Sequence, residues 1–295
     1  MAMRAAVRTL PPVREWPALV PPPGSVTWAR AGDPRLLLAA GYALVLQVSH
    51  PTVGAGVSEH SQFRRDPWGR LLRTLDYSYT MVYGGPRAAG EMGRRIRSMH
   101  AHINGTLPDG QRYHALEPHA YAWVHATLAE AIVRAHATFG RPLGAGEREQ
   151  FWREWRALGR LLGIGEDDLP PSWERFALYF GQTVERRLER TPAAAEVLAA
   201  LARPAAPAAA APLRGLWSLG CLPVGHLLCL MTVGLLPPGL RVRLGLRWSS
   251  ARELELRAAA TTLRGMTPLM PPPLANVGPR YLNLRARAIA GAGEP

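Results

Sequence analysis

Apolar side chains recur along the chain at three- and four-residue intervals, the spacing of helices that bury one side. One such stripe runs from Phe151 to Leu162, and a second runs from Phe176 to Val184. Because residues at this spacing share one face of a helix, each stretch predicts an amphipathic helix packed on a core. No hairpin dipeptide stands between alternating apolar runs, so the pattern predicts no β-hairpin.

Helix boundaries are marked by aspartate–proline pairs and by glycines. Asp33–Pro34 opens a segment that is apolar on all sides and stops before Pro51, which predicts a central buried helix. Asp66–Pro67 opens another helix, which ends at Gly84–Gly85. With the remaining helical stretches, the sequence predicts an all-α fold, a single globular domain of about eight helices. We divide the chain into an N-terminal extension, a helical domain and a C-terminal tail: residues 1–31, 32–264 and 265–295.

Composition bounds the class of protein without selecting its partner. The 295 residues are 47% hydrophobic, which is typical of a folded domain, and they carry a net charge of +13. A basic protein can bind nucleic acid or an anionic small molecule, and a GC-rich genome also replaces lysine by arginine without functional meaning. The arginines are spread from Arg4 to Arg287 without a block of five basic residues, so we expect no nucleic-acid partner.

Two features bear on where the protein works. The N-terminus has no apolar signal region, and Cys221 and Cys229 lie too far apart on one helix for a disulfide, so a cytoplasmic location is expected. The apolar segment Leu216–Leu236 is long enough to span a bilayer, but Pro223 and His226 interrupt it. A buried helix pair is therefore favoured, and contact with a membrane is the alternative.

Most catalytic motifs are missing from the sequence. It contains no GxSxG, no Walker or GxGxxG loop, no HExxH, no CxxC and no repeated ExxH pair. Their absence disfavours α/β-hydrolases, nucleotide-binding folds, the common zinc sites and a ferritin-like di-iron bundle. The nine histidines remain as the chemical signal.

The stretch PRAAGEMGRRIRSMHAHING, Pro86 to Gly105, contains two of these histidines. His100 shares a helix face with Met92 and Ile96, whereas His102 points elsewhere and is expected to meet solvent. A buried imidazole needs a partner: a backbone carbonyl satisfies it, and a metal or haem iron is the functional alternative. Geometry alone favours the carbonyl.

Further candidates lie on neighbouring helices. His125 lies on a stripe with Tyr121 and is also expected to face inward. Arg70 and Thr74, four residues apart, share a helix face, and Arg73 lies beside it. Such a face can hold a carboxylate, a haem propionate or a polar substrate, and a solvated helix side is the structural alternative.

These pieces together resemble a known family. Four stretches between residues 32 and 250 carry the resemblance, in order and spacing: LQVSHPTVGAGVSEHSQF, RDPWGRLLRT, RSMHAHINGTLPDGQRYHALEPHAYAWVHATL and GLLPPGLRVRLGLRWS. They look like the DUF2236 family, which includes the fungal MpaB proteins and the bacterial latex-clearing rubber oxygenases. The resemblance implies a mainly α-helical fold with a globin-like core, a b-type haem, and cleavage of carbon–carbon double bonds with dioxygen.

The resemblance also implies roles for particular residues. His100 matches the family's proximal iron ligand, and Arg70 and Thr74 match an arginine and threonine of its site. Arg73 stands where the rubber oxygenases have a lysine that can ligate the distal side. A guanidinium stays protonated, which implies an open or water-filled sixth position. Arg73 and Thr74 are then expected to donate hydrogen bonds to bound oxygen.

The resemblance extends to the acid–base groups and to the function. Glu59 matches an acidic residue near the family's distal pocket, and Glu59 or His60 is expected to move protons. His125 is expected to orient groups around the cofactor. The expected function is a haem b-dependent oxygenase that acts with dioxygen on a small apolar substrate such as a prenoid, an acyl chain or a natural product. Two alternatives stand beside it: a haem-binding sensor or carrier without turnover, and a helical protein that binds a different metal through His100 and His125.

Overall fold

The computed structural model describes residues 10–61, 63, 65–207 and 214–291, and helices dominate these ranges. The α-helices follow in chain order: α1 (Trp16–Leu19), α2 (Val26–Arg30), α3 (Ala40–Val48), α4 (Pro51–His60), α5 (Pro67–Tyr83), α6 (Gly85–His100), α7 (Pro118–Phe139), α8 (Ala145–Leu161), α9 (Trp173–Arg186), α10 (Pro192–Ala202), α11 (Arg214–Leu235), α12 (Pro238–Arg243), α13 (Ser250–Gly265), α14 (Pro272–Ala275) and α15 (Gly278–Gly291). Short 3-10 helices cover Val13–Glu15, Pro34–Ala39, Glu166–Asp168 and Thr267–Leu269. The all-α class is confirmed. The helices outnumber the predicted eight because several are only one or two turns long and carry no apolar stripe. A globin-like core stays a prediction.

A small β-hairpin shows that the expectation of no hairpin is wrong. Strands β1 (Asn104–Thr106) and β2 (Arg112–His114) pair antiparallel, with Gly105 opposite Tyr113. Gly110 in the connecting turn has a φ of +86°, a conformation that glycine adopts without strain. The strands are too short to show alternation, so the dipeptide Asp109–Gly110 was the only local indication of a turn.

The core is built around α3 and α7. Tyr42, Val45 and Leu46 of α3 are fully buried, as predicted for the segment that begins at Asp33. Trp123 of α7 is also fully buried, and its indole Nε1 donates to the carbonyl oxygen of Leu46 at 3.0 Å. These two helices therefore form the centre on which the other elements pack.

α8 and α9 meet through aromatic rings. Phe151 and Trp155 are buried as their stripe predicts, and the fully buried Trp152 adds a second apolar face. The Trp152 ring stacks on Phe176 of α9 with ring centroids 4.2 Å apart, and its Nε1 donates to the carbonyl oxygen of Pro170 at 2.9 Å. α8 is thus buried on two sides, which one stripe does not predict.

Both predicted terminal segments pack onto the helical domain. The Tyr83 hydroxyl of α5 donates to the carbonyl oxygen of Trp28 in the N-terminal segment at 2.9 Å, and Asn276 Nδ2 of the C-terminal segment donates to the same oxygen at 2.9 Å. On α15, Arg285 pairs with the carboxylate of Asp76 on α5 at 2.9 Å, and the Tyr281 hydroxyl donates to the same carboxylate. Residues before 32 and after 264 thus help to hold α5 in place.

The apolar segment Leu216–Leu236 belongs to one helix, α11, and the expected helix pair does not form. The second half of α11 is buried, as at Leu230, whereas Leu219 and Leu222 in the first half are exposed. The two cysteines both lie on α11 and are not joined by a disulfide. The expected burial therefore holds for only half of the segment.

A membrane-spanning helix needs about 20 consecutive apolar residues. Within ranges 10–61, 65–207 and 214–291, no single helix is long and apolar enough to meet that need. The consecutive helices Pro34–Val48 and Pro51–His60 meet it together by length and composition, but they are bent by 104°.

Candidate functional site

The candidate site lies at one end of the helix pair α5–α6. A tight connection at Gly84 and Gly85 joins the two helices, and Gly85 has a φ of +76° that favours glycine. Because the helices run antiparallel from this connection, the start of α5 and the end of α6 lie at the same end of the pair. Arg70 and Thr74 are near the start of α5, and His100 ends α6.

His100 is half-buried and holds one ring nitrogen in a backbone hydrogen bond. Its Nδ1 lies 2.8 Å from the carbonyl oxygen of Ile96, so Nδ1 carries the proton and donates it. Burial lowers the pKa of His100 below its usual value, with a smaller opposing effect of that hydrogen bond, so the ring is neutral at pH 7. Its Nε2 has no protein partner among the described residues. A neutral imidazole with a free Nε2 lone pair is ready to ligate a metal.

The surroundings of His100 fix the orientation of its ring. The Tyr121 ring of α7 meets the imidazole edge-on, with ring centroids 5.5 Å apart. The Tyr121 hydroxyl is itself buried without a hydrogen-bond partner in the part of the chain that the structure describes. Sequence reasoning placed Tyr121 on the stripe of His125 and missed its contact with His100, because that contact joins two separate helices. His102 is exposed, as predicted.

The two arginines of α5 differ in their partners. Arg73 is exposed and pairs with the carboxylate of Asp66 at 3.2 Å, and that carboxylate also caps α5 through the backbone N–H of Gly69. Arg70 is half-buried, and no carboxylate pairs with it among the described residues. Burial, and then the charge of Arg73, lower the pKa of Arg70 from its usual value. The Thr74 hydroxyl is exposed and donates to the carbonyl oxygen of Arg70 at 2.9 Å. Arg70 is therefore the cation of this face that lacks an anion.

Glu59 and His60 end α4 beside the β-hairpin, which begins just after His100. Glu59 Oε2 accepts a hydrogen bond from the Tyr113 hydroxyl at 2.6 Å, and burial followed by this carboxylate raises the pKa of Tyr113. His60 Nε2 lies 3.1 Å from the carbonyl oxygen of Asn104 and 3.7 Å from Glu59 Oε2. The structure thus brings Glu59 and His60 together and ties them to the hairpin, not to Arg70.

His125 lies between α7 and α8, at a distance of one helical turn from Tyr121. Its Nε2 donates to the carbonyl oxygen of Trp155 at 2.8 Å, and Trp155 Nε1 donates to the carbonyl oxygen of His125 at 3.0 Å. The two rings stack with centroids 5.1 Å apart, and burial lowers the pKa of His125 to about 4. This geometry gives His125 a role in joining two helices, and its part in cofactor binding stays a prediction.

The depressed pKa of His125 predicts a loss of stability in acid. The unfolded chain takes up a proton near the usual pKa of 6.5, whereas the folded chain does so only near 4. Between these values the unfolded state binds more protons, so the free energy of unfolding falls as pH falls, by about 1.4 kcal/mol per pH unit for this one group. Urea unfolding of wild type and of His125→Gln, which keeps an N–H donor, is expected to show a shallower slope for the variant between pH 6 and pH 4.5. Equal slopes would contradict this role.

In the part of the chain that the structure describes, no three His, Cys, Asp or Glu residues are arranged to hold a metal ion, at this site or outside it. Toward this end of the helix pair, α6 carries an imidazole whose Nε2 lacks a partner and α5 carries a guanidinium that lacks an anion, both among the described residues. This pair matches a ligand that carries both a metal and a carboxylate, as haem does.

The sequence of this helical domain places it in a family of oxygenase catalytic domains. Residues 28–265 match the family described as ER-bound oxygenase mpaB/B'/Rubber oxygenase, catalytic domain, and the chain belongs to this family. The predicted membership of DUF2236 is thereby confirmed.

Similar proteins occur in mycobacteria. The uncharacterized proteins Mb2261 of Mycobacterium bovis and Rv2237 of Mycobacterium tuberculosis are each 25% identical to the chain over 238 residues, which is 77% of this chain and 87% of theirs. No solved structure matches the chain significantly.

Proposed function

We propose that the protein is a haem b-dependent oxygenase in which His100 would hold the iron. The observation that carries the proposal is the imidazole of His100, whose Nδ1 is bonded to Ile96 while Nε2 has no partner among the described residues. Membership of an oxygenase family supports the same class of reaction. A bound haem would supply the iron that binds and activates dioxygen.

The residues at the end of α5–α6 fit such a group. Nε2 of His100 would hold the iron, and the hydrogen bond from Nδ1 to Ile96 fixes the tautomer and makes the ring a stronger ligand. Arg70 would pair with a propionate, which supplies the anion that the guanidinium lacks. Arg73 pairs with Asp66, and the Thr74 hydroxyl donates to the carbonyl oxygen of Arg70. Both side chains would have to rotate before they could donate a hydrogen bond to dioxygen.

Glu59 and His60 are the groups that can hold or move a proton near this end of the fold. His60 Nε2 donates to a backbone carbonyl, and Glu59 Oε2 lies 3.7 Å away, so a proton on the imidazole can be attracted by the carboxylate. Tyr113 donates its hydroxyl proton to Glu59 and keeps that carboxylate in position. We assign Glu59 and His60 to proton supply.

The proposed substrate is a small apolar molecule such as a prenoid, an acyl chain or a natural product. On α5, no residue from Pro67 to Ser78 is buried, and Leu72 is 52% exposed. On α6, Met99, next to His100 in the sequence, is 45% exposed. Apolar side chains that stay open on these two helices favour a substrate that buries apolar surface when it binds.

Absorption spectroscopy with a dioxygen electrode tests this function. Protein produced with added haem precursor is expected to show a Soret band and to consume dioxygen when prenoid or acyl substrates are added. A Soret band without substrate-dependent consumption would contradict the oxygenase and favour a sensor or carrier. Iron or another metal without a Soret band would contradict haem.

The two arginines of α5 form a matched pair for the same experiment. Arg70→Met is expected to release haem to an apoprotein acceptor about tenfold faster than wild type, because the propionate loses a charged partner. Arg73→Met is expected to release haem at nearly the wild-type rate, because Arg73 is already paired with Asp66. Equal release from the two variants would contradict the assignment of Arg70.

A further inference from the structure

The first half of α11 presents leucines to solvent. Leu219 is 75% exposed, Leu222 59% and Leu227 44%, whereas Leu230 and the residues after it are buried in the core. Three large apolar side chains within nine residues of one helix, at positions the fold leaves uncovered, mark an interaction surface. We call Leu219, Leu222 and Leu227 the leucine surface.

Arginines stand on both sides of the leucine surface. The end of α10 packs so closely on α11 that a Cβ on Gly225 would overlap the carbonyl oxygen of Ala202, and the next residue, Arg203, is exposed. On the other side, His226 of α11 pairs with Glu255 of α13 at 2.6 Å. Arg252, also exposed on α13, lies near Cys229. Burial raises the pKa of the Cys229 thiol, and the charge of Arg252 opposes this with a smaller effect.

The two flanking arginines carry unbalanced charge. Neither Arg203 nor Arg252 pairs with a carboxylate among the described residues. The guanidinium of Arg252 donates to the carbonyl oxygen of Arg247 at 3.1 Å. A second copy of the chain on this surface would bring further arginines of the same sign close to them. An anionic partner with an apolar interior avoids that repulsion and offers burial to the leucines.

We propose that the leucine surface, with Arg203 and Arg252, rests on an anionic lipid bilayer. The leucines enter the boundary between headgroups and acyl chains, and the two guanidinium groups meet lipid phosphates. This attachment is independent of the oxygenase reaction, since it uses none of the residues at the end of α5–α6.

The leucine surface adjoins the helix that carries the candidate site. Trp217 Nε1 of α11 donates to the carbonyl oxygen of Pro204 at 2.9 Å, and Trp68 Nε1 of α5 donates to that of Ala205 at 2.8 Å. One short segment therefore links the beginnings of α5 and α11. If the proposed function also holds, the substrate is an apolar molecule dissolved in the bilayer. This identification of the substrate rests on the proposed function, whereas the attachment does not.

Vesicle flotation with the full chain tests the attachment. Wild type is expected to float with vesicles of phosphatidylcholine mixed with phosphatidylglycerol and to remain largely unbound with phosphatidylcholine alone. The double variant Leu219→Ser, Leu222→Ser is expected to bind the mixed vesicles at least tenfold more weakly, from the loss of about one buried leucine's transfer energy per site. Arg203→Glu and Arg252→Glu are each expected to weaken binding about fivefold or more, and added salt should have a similar effect on wild type.

Controls on α9 match each change, because this helix packs on α8 and α12, away from α11. Leu178→Ser replaces a leucine that is 55% exposed, and Arg175→Glu reverses an exposed arginine; both are expected to bind as wild type does. Equal loss in the α9 and α11 variants, or no flotation of wild type, would overturn the proposal. So would a stable dimer that the double serine variant dissociates without any change in vesicle binding. Flotation measures vesicle binding and is independent of haem content. A negative flotation result therefore leaves the proposed oxygenase function intact, and a missing Soret band leaves the proposed attachment intact.

Discussion

The His100→Ala variant is expected to lose the Soret band and all substrate-dependent dioxygen consumption. The alanine side chain offers no lone pair to iron, and His102, two residues further along, is exposed and not expected to replace it. Haem content per chain, measured by the pyridine haemochrome spectrum, is the direct measurement. The expected loss is large, because the variant lacks the side chain that would hold the iron.

His102→Ala is the matched control for His100→Ala. His102 lies two residues further along the chain and is exposed, so its removal is expected to leave the haem content unchanged. A second variant, His100→Gly, is expected to regain a Soret band when imidazole is added, because the small ligand can occupy the space of the missing ring. Wild-type haem content in His100→Ala, or loss without imidazole rescue together with a changed circular dichroism spectrum, would contradict axial ligation.

The Trp152→Ala variant is expected to lower the free energy of unfolding by about 3–5 kcal/mol. Trp152 is fully buried, stacks on Phe176 and gives its Nε1 proton to the carbonyl oxygen of Pro170. Truncation removes the ring stack, leaves a cavity between α8 and α9 and deprives a carbonyl oxygen of its donor. Chemical denaturation monitored by far-ultraviolet circular dichroism measures the change.

Two further variants separate the causes of the Trp152 effect. Trp152→Phe keeps an aromatic ring against Phe176 but loses the donor to Pro170, so a smaller loss is expected than for alanine. Leu178→Ala on α9 shortens an exposed side chain and is expected to change stability by about 0.5 kcal/mol or less. A Trp152→Ala effect as small as that of Leu178→Ala would show that α8 and α9 do not depend on this stack.

Helix class and inward faces follow from local spacing, which is why they could be predicted. The stripe that contains Phe151 and Trp155 is buried, and the apolar segment after Asp33 supplies the core residues of α3. The hairpin at residues 104–114 escaped prediction because strands of three residues carry too few alternations. The two halves of α11 have similar composition, so only the neighbouring helices decide that one is buried and the other exposed.

The sequence identified the candidate site residues but not the residues that contact them. Spacing identified His100 as the inward histidine, and the structure satisfies its Nδ1 with a carbonyl while leaving Nε2 open among the described residues, so the two alternatives for this ring are compatible. Sequence could not tell Arg70 from Arg73, because their difference depends on the capping aspartate Asp66, whose side chain accepts a hydrogen bond from Arg73 about two turns further along. It could not place Tyr121 against His100, because only the packing of α7 brings them together.

The support of α5 comes from the far end of the chain. Asp76 in the middle of α5 is held by Tyr281 and Arg285 of α15, and Tyr281 is 205 positions later in the sequence. During translation, α5 is made early but meets these partners only after the ribosome has synthesised nearly the whole chain. The packing that holds α5, and with it Arg70 and Thr74, is therefore completed late in biosynthesis.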